Sequence, residues 1–367
     1  MYDDLETPAL LLHLDVVERN LAHMADRART LGVHLRPHAK THKCVELGRL
    51  QLKCGARGLT VATLVEAEVF ARAGFQDLTW AFPMDVSHIP HARRIAEETG
   101  ATLRIVVDDL HTACALAGSR LHVWLKVDCG YHRAGVDPES AYALDVAREL
   151  GAERDLVFDG ILSHSGHAYR TTNKTEAARV AEQERSIMDG FAGLLREQSL
   201  PVREVSVGST PAMAAARDLT GVTEARPGNY VFYDRTMVLI GCCELADVGV
   251  TVLATVVSHQ PGGSHFVVDA GALELSKDPG PAHVGPQAMG AVLGAPELTV
   301  AALSQEHGLI RAASPAELEG RFNVGTRLEL VPNHSCLTVA HFDEFHVVRG
   351  RAEEGRVVDR WKVERGR

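Results

Sequence analysis

The sequence predicts an α/β protein: a (β/α)8 TIM-type barrel with a C-terminal antiparallel β domain. Three observations carry that expectation. From residue 34 to residue 232 short β-branched runs alternate with longer helical patterns, the mark of repeated βα units around a parallel sheet. The β-type runs number eight. Beyond about residue 240 the helical periodicities fade into Val/Thr/Gly-rich runs separated by turn residues.

Taken in order, the barrel strands are expected at His34–Arg36, Gly58–Thr63, Leu78–Pro83, Thr102–Val107, His122–Val127, Asp159–Ser163, Glu204–Gly208 and Ala225–Phe232. The segments between them read as amphipathic helices closed by glycine, for example Val65–Gly74 and Pro138–Gly151. An open doubly wound sheet is the alternative, but no Gly-x-Gly-x-x-Gly turn follows the first strand. The β domain is expected to use Gly249–Val257, His265–Asp269, Arg327–Val331, Phe345–Val348 and Arg356–Val358, and the opening strand Ala9–Leu14 is assigned to it as well. The expected division is residues 15–240 for the barrel and residues 1–14 plus 241–367 for the β domain. No internal repeat or low-complexity tract is visible.

A hydrophobic fraction of 46% and a charged fraction of 23% are those of an ordinary globular protein, and 367 residues suit one large domain plus a smaller one. A formal charge of -10 argues against a nucleic-acid partner, which is held by clustered Lys and Arg. The longest uncharged apolar stretch, around Val248–Val257, is too short for a membrane span, and the acidic start Met1-Tyr2-Asp3-Asp4 is unlike a signal peptide. A cytoplasmic protein is expected. Seven cysteines, with no Cys-x-x-Cys pair, speak against a disulfide framework, and most of them read as small buried residues.

Active sites of such barrels lie at the carboxyl ends of the strands. There the sequence is polar: His38-Ala39-Lys40 after strand one, Asp128 to Arg133 after strand five, His164 to Tyr169 after strand six. Gly208-Ser209-Thr210-Pro211 after strand seven and Gly228 after strand eight suit a phosphate, through backbone amides and hydroxyls at tight turns; a plain helix cap is the competing reading. Lys40, flanked by Arg36 and Lys43, reads as a lysine whose proton is loosened by cationic neighbours, as Schiff-base chemistry requires. His334 and Cys336 stand two apart on or beside an expected strand, so they face one side and could share a zinc ion. A buried cysteine beside a hydrogen-bonded histidine is the alternative.

These segments together resemble the D-serine dehydratase and D-threonine aldolase family, alanine-racemase-like (fold-type III) pyridoxal-phosphate enzymes. The resemblance runs through Glu6-Thr7-Pro8-Ala9-Leu10, Arg36-Pro37-His38-Ala39-Lys40-Thr41-His42-Lys43, Gly208-Ser209-Thr210-Pro211, Arg226-Pro227-Gly228-Asn229-Tyr230 and Pro332-Asn333-His334-Ser335-Cys336. It implies that Lys40 carries pyridoxal 5'-phosphate and that Ser209, Thr210, Gly228, Asn229 and Tyr230 hold its phosphate. It also implies that Arg133 contacts the cofactor phenolate, that Tyr169 lines the ring, and that His334 and Cys336 bind a divalent metal. His-x-Cys matches the dehydratases and zinc; His-x-Asp, with manganese or magnesium, is more usual in the aldolases.

The function so implied is a lyase acting on D-β-hydroxy-α-amino acids, by loss of water to a keto acid and ammonia. The alternative is retro-aldol cleavage to glycine and an aldehyde, with His167 or His164 as base. A two-base racemase would need a further acid/base, typically a tyrosine of the β domain, and no tyrosine follows Tyr233. A non-catalytic cofactor carrier would not need the metal pair. The expected partners are a small D-amino acid and a second copy of the chain in a homodimer.

Overall fold

The computed structural model describes residues 2, 4–152, 155–318, 320–350 and 355–365. The chain divides into two compact units, Met1–Leu21 with Asn229–Val363, and Ala22–Gly228 with Glu364–Arg367. The outermost ends of the expected β domain, residue 1 and residues 366–367, lie outside the described residues.

Strand β1 (Ala9–His13) belongs to the first unit, and the second contains β2 (His34–Leu35), β3 (Leu59–Val61), β4 (Asp77–Pro83), β5 (Thr102–Val107), β6 (His122–Lys126), β7 (Val157–Leu162), β8 (Glu204–Val207) and β9 (Glu224–Ala225). These eight pair in parallel in the order β2-β9-β8-β7-β6-β5-β4-β3. Amides of Arg57 and Thr60 donate to the carbonyls of Leu35 and Pro37 at 2.8 Å each, joining the first strand to the last and closing the barrel. Helices cover the outside and are capped by the residues the sequence supplies: Thr63 accepts from Glu66 N and Asn173 from Glu176 N. Inside, Trp124 packs with Val106 and Leu162, each almost wholly buried and contributing about 1.5–3 kcal/mol through apolar area removed from water.

The eighth strand is shorter than expected. Only Glu224–Ala225 is extended, and Asn229–Val231 forms a 3-10 turn. The β-branched run that suggested a strand to Phe232 is interrupted by Pro227-Gly228, where the chain leaves the sheet.

The amino-terminal end of the barrel is filled with ions rather than aliphatic side chains. Arg36 Nε donates to Glu224 at 2.9 Å and its other nitrogens reach Asp77. Arg104 bridges Asp77 and Asp159, the latter at 2.8 Å. His122 Nδ1 lies 3.0 Å from Asp159, and Arg57 pairs with Glu204 at 2.6 Å. Three guanidiniums thus face four carboxylates, and Arg36 and Glu224 are 1% and 0% exposed.

The first unit holds β10 (Val250–His259), β11 (His265–Val268), β12 (Gly290–Val292), β13 (Leu298–Leu303), β14 (Gly308–Ala312), β15 (Arg327–Pro332), β16 (Glu344–Arg349) and β17 (Arg356–Lys362). Strands β10-β11-β14-β13-β12-β15 close on themselves as a six-stranded antiparallel barrel. As expected, β1 joins this sheet, antiparallel to β10 and parallel to β16. Strands β12 to β14 were not anticipated, because the Ala/Leu/Gly-rich run containing them has weak β propensity. Of the seven cysteines only Cys44 and Cys129 are buried, fewer than expected. Among the described residues no helix is long and apolar enough to cross a membrane.

Candidate active site

A cavity of about 410 Å³ opens at the carboxyl end of the eight-stranded barrel. Its wall includes Lys40 after β2, Phe82 on β4, Lys126 at the end of β6, Arg133 beyond it, His164 after β7, Gly208 after β8 and Arg226 after β9. Two lysines and two arginines therefore line it together with His38 and His164, and among the described residues no carboxylate does.

Lys40 lies in the 3-10 turn Ala39–Thr41, whose cap His38 accepts the Lys40 amide on Nδ1 at 3.4 Å. The cationic neighbours inferred from sequence lie elsewhere. Arg36 belongs to the amino-terminal ion ring, and Lys43 Nζ is bound to Glu66 at 2.5 Å. The cations facing Lys40 across the cavity are brought by the other strands.

Lys126 and Arg226 were not singled out from sequence. Lys126 is 4% exposed, and burial, then the charges of Arg226 and Arg133, push its ammonium down to about 8. Its signal was a lysine closing the otherwise apolar strand His122-Val123-Trp124-Leu125-Lys126. Arg226 donates to Ser206 Oγ and Ser163 O, and burial lowers it to about 10. Arg133 is held with its guanidinium 5.0 Å from the centre of the Tyr131 ring.

Two histidines of the cavity are held neutral. Burial, then Lys40, depress both His38 and His164 well below the usual imidazole range. His164 Nδ1–H donates to Gly208 O at 2.8 Å, so its Nε2 keeps a lone pair. His167 is not in the cavity wall. It stacks on Tyr131 with centroids 6.2 Å apart, and both its ring nitrogens are buried without a hydrogen bond among the described residues. Tyr169 follows in the same 3-10 turn, half-buried and also outside the wall.

The turns expected to hold a phosphate are tightly built. Gly208 has φ +127°, and a Cβ there would meet Arg226 N at 2.9 Å. Ser209 caps the short helix Thr210–Ala215, accepting from Ala212 N at 3.3 Å. A Cβ on Gly228 would come within 3.0 Å of His38 and Thr41, so glycine lets the loop after β9 lie against the Lys40 turn. Tyr230 is buried. The Asn229 side chain is engaged elsewhere, donating to Asp234 Oδ2 at 2.6 Å and Ser335 Oγ at 3.2 Å.

His334 and Cys336 are not on a strand. His334 stands at the residue before the short helix Ser335–Val339, and Cys336 lies in its first turn. The two side chains still interact: burial opposes a charge on His334, but Cys336 and then Asp278 raise it to about 11. Asp278 Oδ2 accepts His334 Nδ1–H at 3.1 Å, which fixes the ring in the way carboxylates orient metal-binding imidazoles. Among the described residues no cluster of three or more His, Cys, Asp and Glu is arranged around a metal position.

Comparison with known proteins agrees with this architecture. Residues 12–236 match the alanine racemase N-terminal domain, and residues 249–348 a serine dehydratase domain. The chain is 37% identical to the D-threo-3-hydroxyaspartate dehydratase of Delftia sp. (strain HT23), covering 94% of each. The solved structure of that enzyme superposes with a TM-score of 0.92 over 98% of this chain and 97% of its own. D-serine dehydratase of Dictyostelium discoideum is 34% identical over 94% of each chain. D-threonine aldolase of Arthrobacter sp. is 32% identical over 98% of this chain and 92% of its own. Alanine racemase of Clostridium difficile, 15% identical with a TM-score of 0.68, shares the fold. On fold and sequence alike, the chain belongs to the D-serine dehydratase and D-threonine aldolase family of alanine-racemase-like enzymes.

Proposed function

We propose that the chain is a pyridoxal-phosphate- and metal-dependent lyase that removes water from a D-β-hydroxy-α-amino acid, D-threo-3-hydroxyaspartate or D-serine, giving a keto acid and ammonia. The observation that carries this reading is the cavity wall, with Lys40, Lys126, Arg133 and Arg226 and no carboxylate. A phosphate, a phenolate and a substrate carboxylate are anions, and a cationic wall with no carboxylate in its lining is the arrangement that fits them.

In this reading Lys40 tethers the cofactor, and Ser209, Thr210, Gly228, Asn229 and Tyr230 hold its phosphate. Asn229 acts through its main chain, since its side-chain donor is spent on Asp234 and Ser335. Arg133 meets the phenolate and Tyr169 borders the ring. Bound pyridoxal phosphate supplies an electron sink for charge developing at the substrate α-carbon. Lys40 Nζ is placed to take the α-proton, and the neutral imidazoles of His38 and His164 keep that amine from competing with an imidazolium for protons. His334 and Cys336 would hold the metal, whose chemistry is Lewis-acid polarisation of the β-hydroxyl. The barrel, residues 15–240, holds the cofactor, and the β domain, residues 1–14 with 241–367, carries the metal ligands. Zinc suits an imidazole–thiolate pair, with manganese or magnesium the competitors. A cytoplasmic homodimer completes the proposal, and sedimentation tests the dimer.

The test is borohydride reduction of the holoenzyme followed by peptide mapping, together with a D-amino-acid panel assayed for ammonia, keto acid and glycine. A pyridoxyl group on Lys40 and ammonia from D-serine or D-threo-3-hydroxyaspartate are expected, lost with chelator and restored by zinc. Label on Lys126 would move the cofactor, and glycine from D-threonine would make the enzyme an aldolase, with His167 tested as its base against His164. Full activity after chelation and in Cys336→Ala would remove the metal.

A further inference from the structure

Glu184, on the helix Lys174–Glu197, is 1% exposed and belongs to neither the ion ring nor the cavity wall. Its Oε1 accepts Ser163 Oγ at 2.7 Å and Gly208 N at 3.2 Å, with Cys129 Sγ at 3.9 Å; its Oε2 accepts Ser165 Oγ at 2.6 Å. Every one of these partners donates, which is the pattern an ionised, acceptor-only carboxylate requires. A buried carboxylate is costly unless its lone pairs are so satisfied.

The donors come from the carboxyl ends of three strands. Cys129 follows β6, Ser163 and Ser165 follow β7, and Gly208 follows β8. His164 lies between the two serines, and its Nδ1–H ends on Gly208 O, the residue whose N–H ends on Glu184. Both sides of the His164 hydrogen bond are therefore pinned to one group. The chain of bonds continues outward. Ser165 spends its only proton on Glu184, so the 3.3 Å contact between Ser165 and Ser209 is donated by Ser209. That long contact is easily exchanged when an acceptor arrives at the Gly208-Ser209 turn.

We propose that Glu184 is a positioning residue: it fixes His164 in the tautomer carrying hydrogen on Nδ1 and aligns Gly208 and Ser209 for the cofactor phosphate. The phosphate half of this rests on the reading of the cavity as a pyridoxal-phosphate site. A carboxylate is needed because an amide in its place offers a donor where Ser163, Ser165 and Gly208 already donate.

The test titrates apoprotein with pyridoxal phosphate and with pyridoxal, which lacks the phosphate, and records the imidazole 15N signals of His164. In Glu184→Gln, affinity for pyridoxal phosphate is expected to fall by about tenfold and that for pyridoxal by much less, as loss of a charged hydrogen-bond acceptor predicts. His164 is expected to pass from one tautomer to a mixture. A folded Glu184→Gln protein with an unchanged affinity ratio and an unchanged His164 spectrum overturns the proposal. If that variant does not fold, Ser165→Ala keeps the carboxylate and cuts its link to Ser209. A loss of about threefold confined to pyridoxal phosphate is then expected, and an unchanged ratio overturns the proposal. Wild-type protein that binds pyridoxal phosphate no more tightly than pyridoxal overturns the phosphate reading instead, and the His164 tautomer then decides the role of Glu184 by itself.

Discussion

The two ends of the eight-stranded barrel use the same residue types to opposite effect. At the amino-terminal end Arg36, Arg57 and Arg104 are each paired with carboxylates among Asp77, Asp159, Glu204 and Glu224, so every cation has its counter-ion within the ring. At the carboxyl end Lys40, Lys126, Arg133 and Arg226 line a cavity that offers them no carboxylate. The first arrangement holds the fold together. The second leaves charge to be met by a ligand, and it is the less stable of the two until one binds.

The largest effect should come from the residue that has a chemical as well as an electrostatic role. Lys40→Ala is expected to lower kcat by about 10²–10⁴-fold, the range for loss of a positioned acid/base, and to abolish the borohydride-trapped adduct while leaving the unfolding midpoint of the apoprotein near wild type. At the other end, Glu224→Gln leaves the buried Arg36 with Asp77 as its remaining carboxylate and should cost about 1.5–3 kcal/mol in urea unfolding, with activity per folded molecule retained. If both variants lost stability alike, the contrast between the ends would be wrong.

Lys126 sharpens the comparison through pH. Its folded-state value of about 8 lies below its ordinary 10.5, so between those limits the unfolded chain binds more protons than the folded one. Apoprotein stability should therefore rise as pH goes from about 8 to 10.5, with the penalty fully present below 8. Lys126→Met is expected to remove that rise, stabilise the apoprotein at neutral pH by up to about 3 kcal/mol, and weaken cofactor binding. A variant less stable than wild type at pH 7 would contradict this. The smallest effect belongs to Arg57–Glu204, where Arg57 is 36% exposed: Arg57→Met should cost about 0–1 kcal/mol, and less in high salt.

Much of the fold was legible because βα alternation is a local signal. Eight β-type runs became eight parallel strands, and Ala9–His13 joined the β unit as expected. What escaped was short or compositionally ambiguous: β12 to β14 lie in a run rich in Ala, Leu and Gly, and Pro227-Gly228 ended the last barrel strand early. In the site, Lys40, Arg133 and Gly208 were readable from their place after strands, and the structure puts all three in one wall. Arg36 was misassigned because proximity in sequence does not survive at a strand end: four residues before Lys40, it is spent at the opposite mouth. Lys126 offered only a lysine at the end of an apolar run and Arg226 no local signature, since only closure of the barrel brings them to Lys40. His334 and Cys336 interact from a helix start rather than from the alternation of a strand.

The two neutral histidines of the cavity set how the enzyme should respond to its surroundings. With His38 and His164 depressed well below the ordinary range, no imidazolium contributes to the hold on an anion near neutrality. Binding of an anion to the empty cavity should then be level across mildly acidic and neutral solution, and weaken on the alkaline side, where Lys126 gives up its proton.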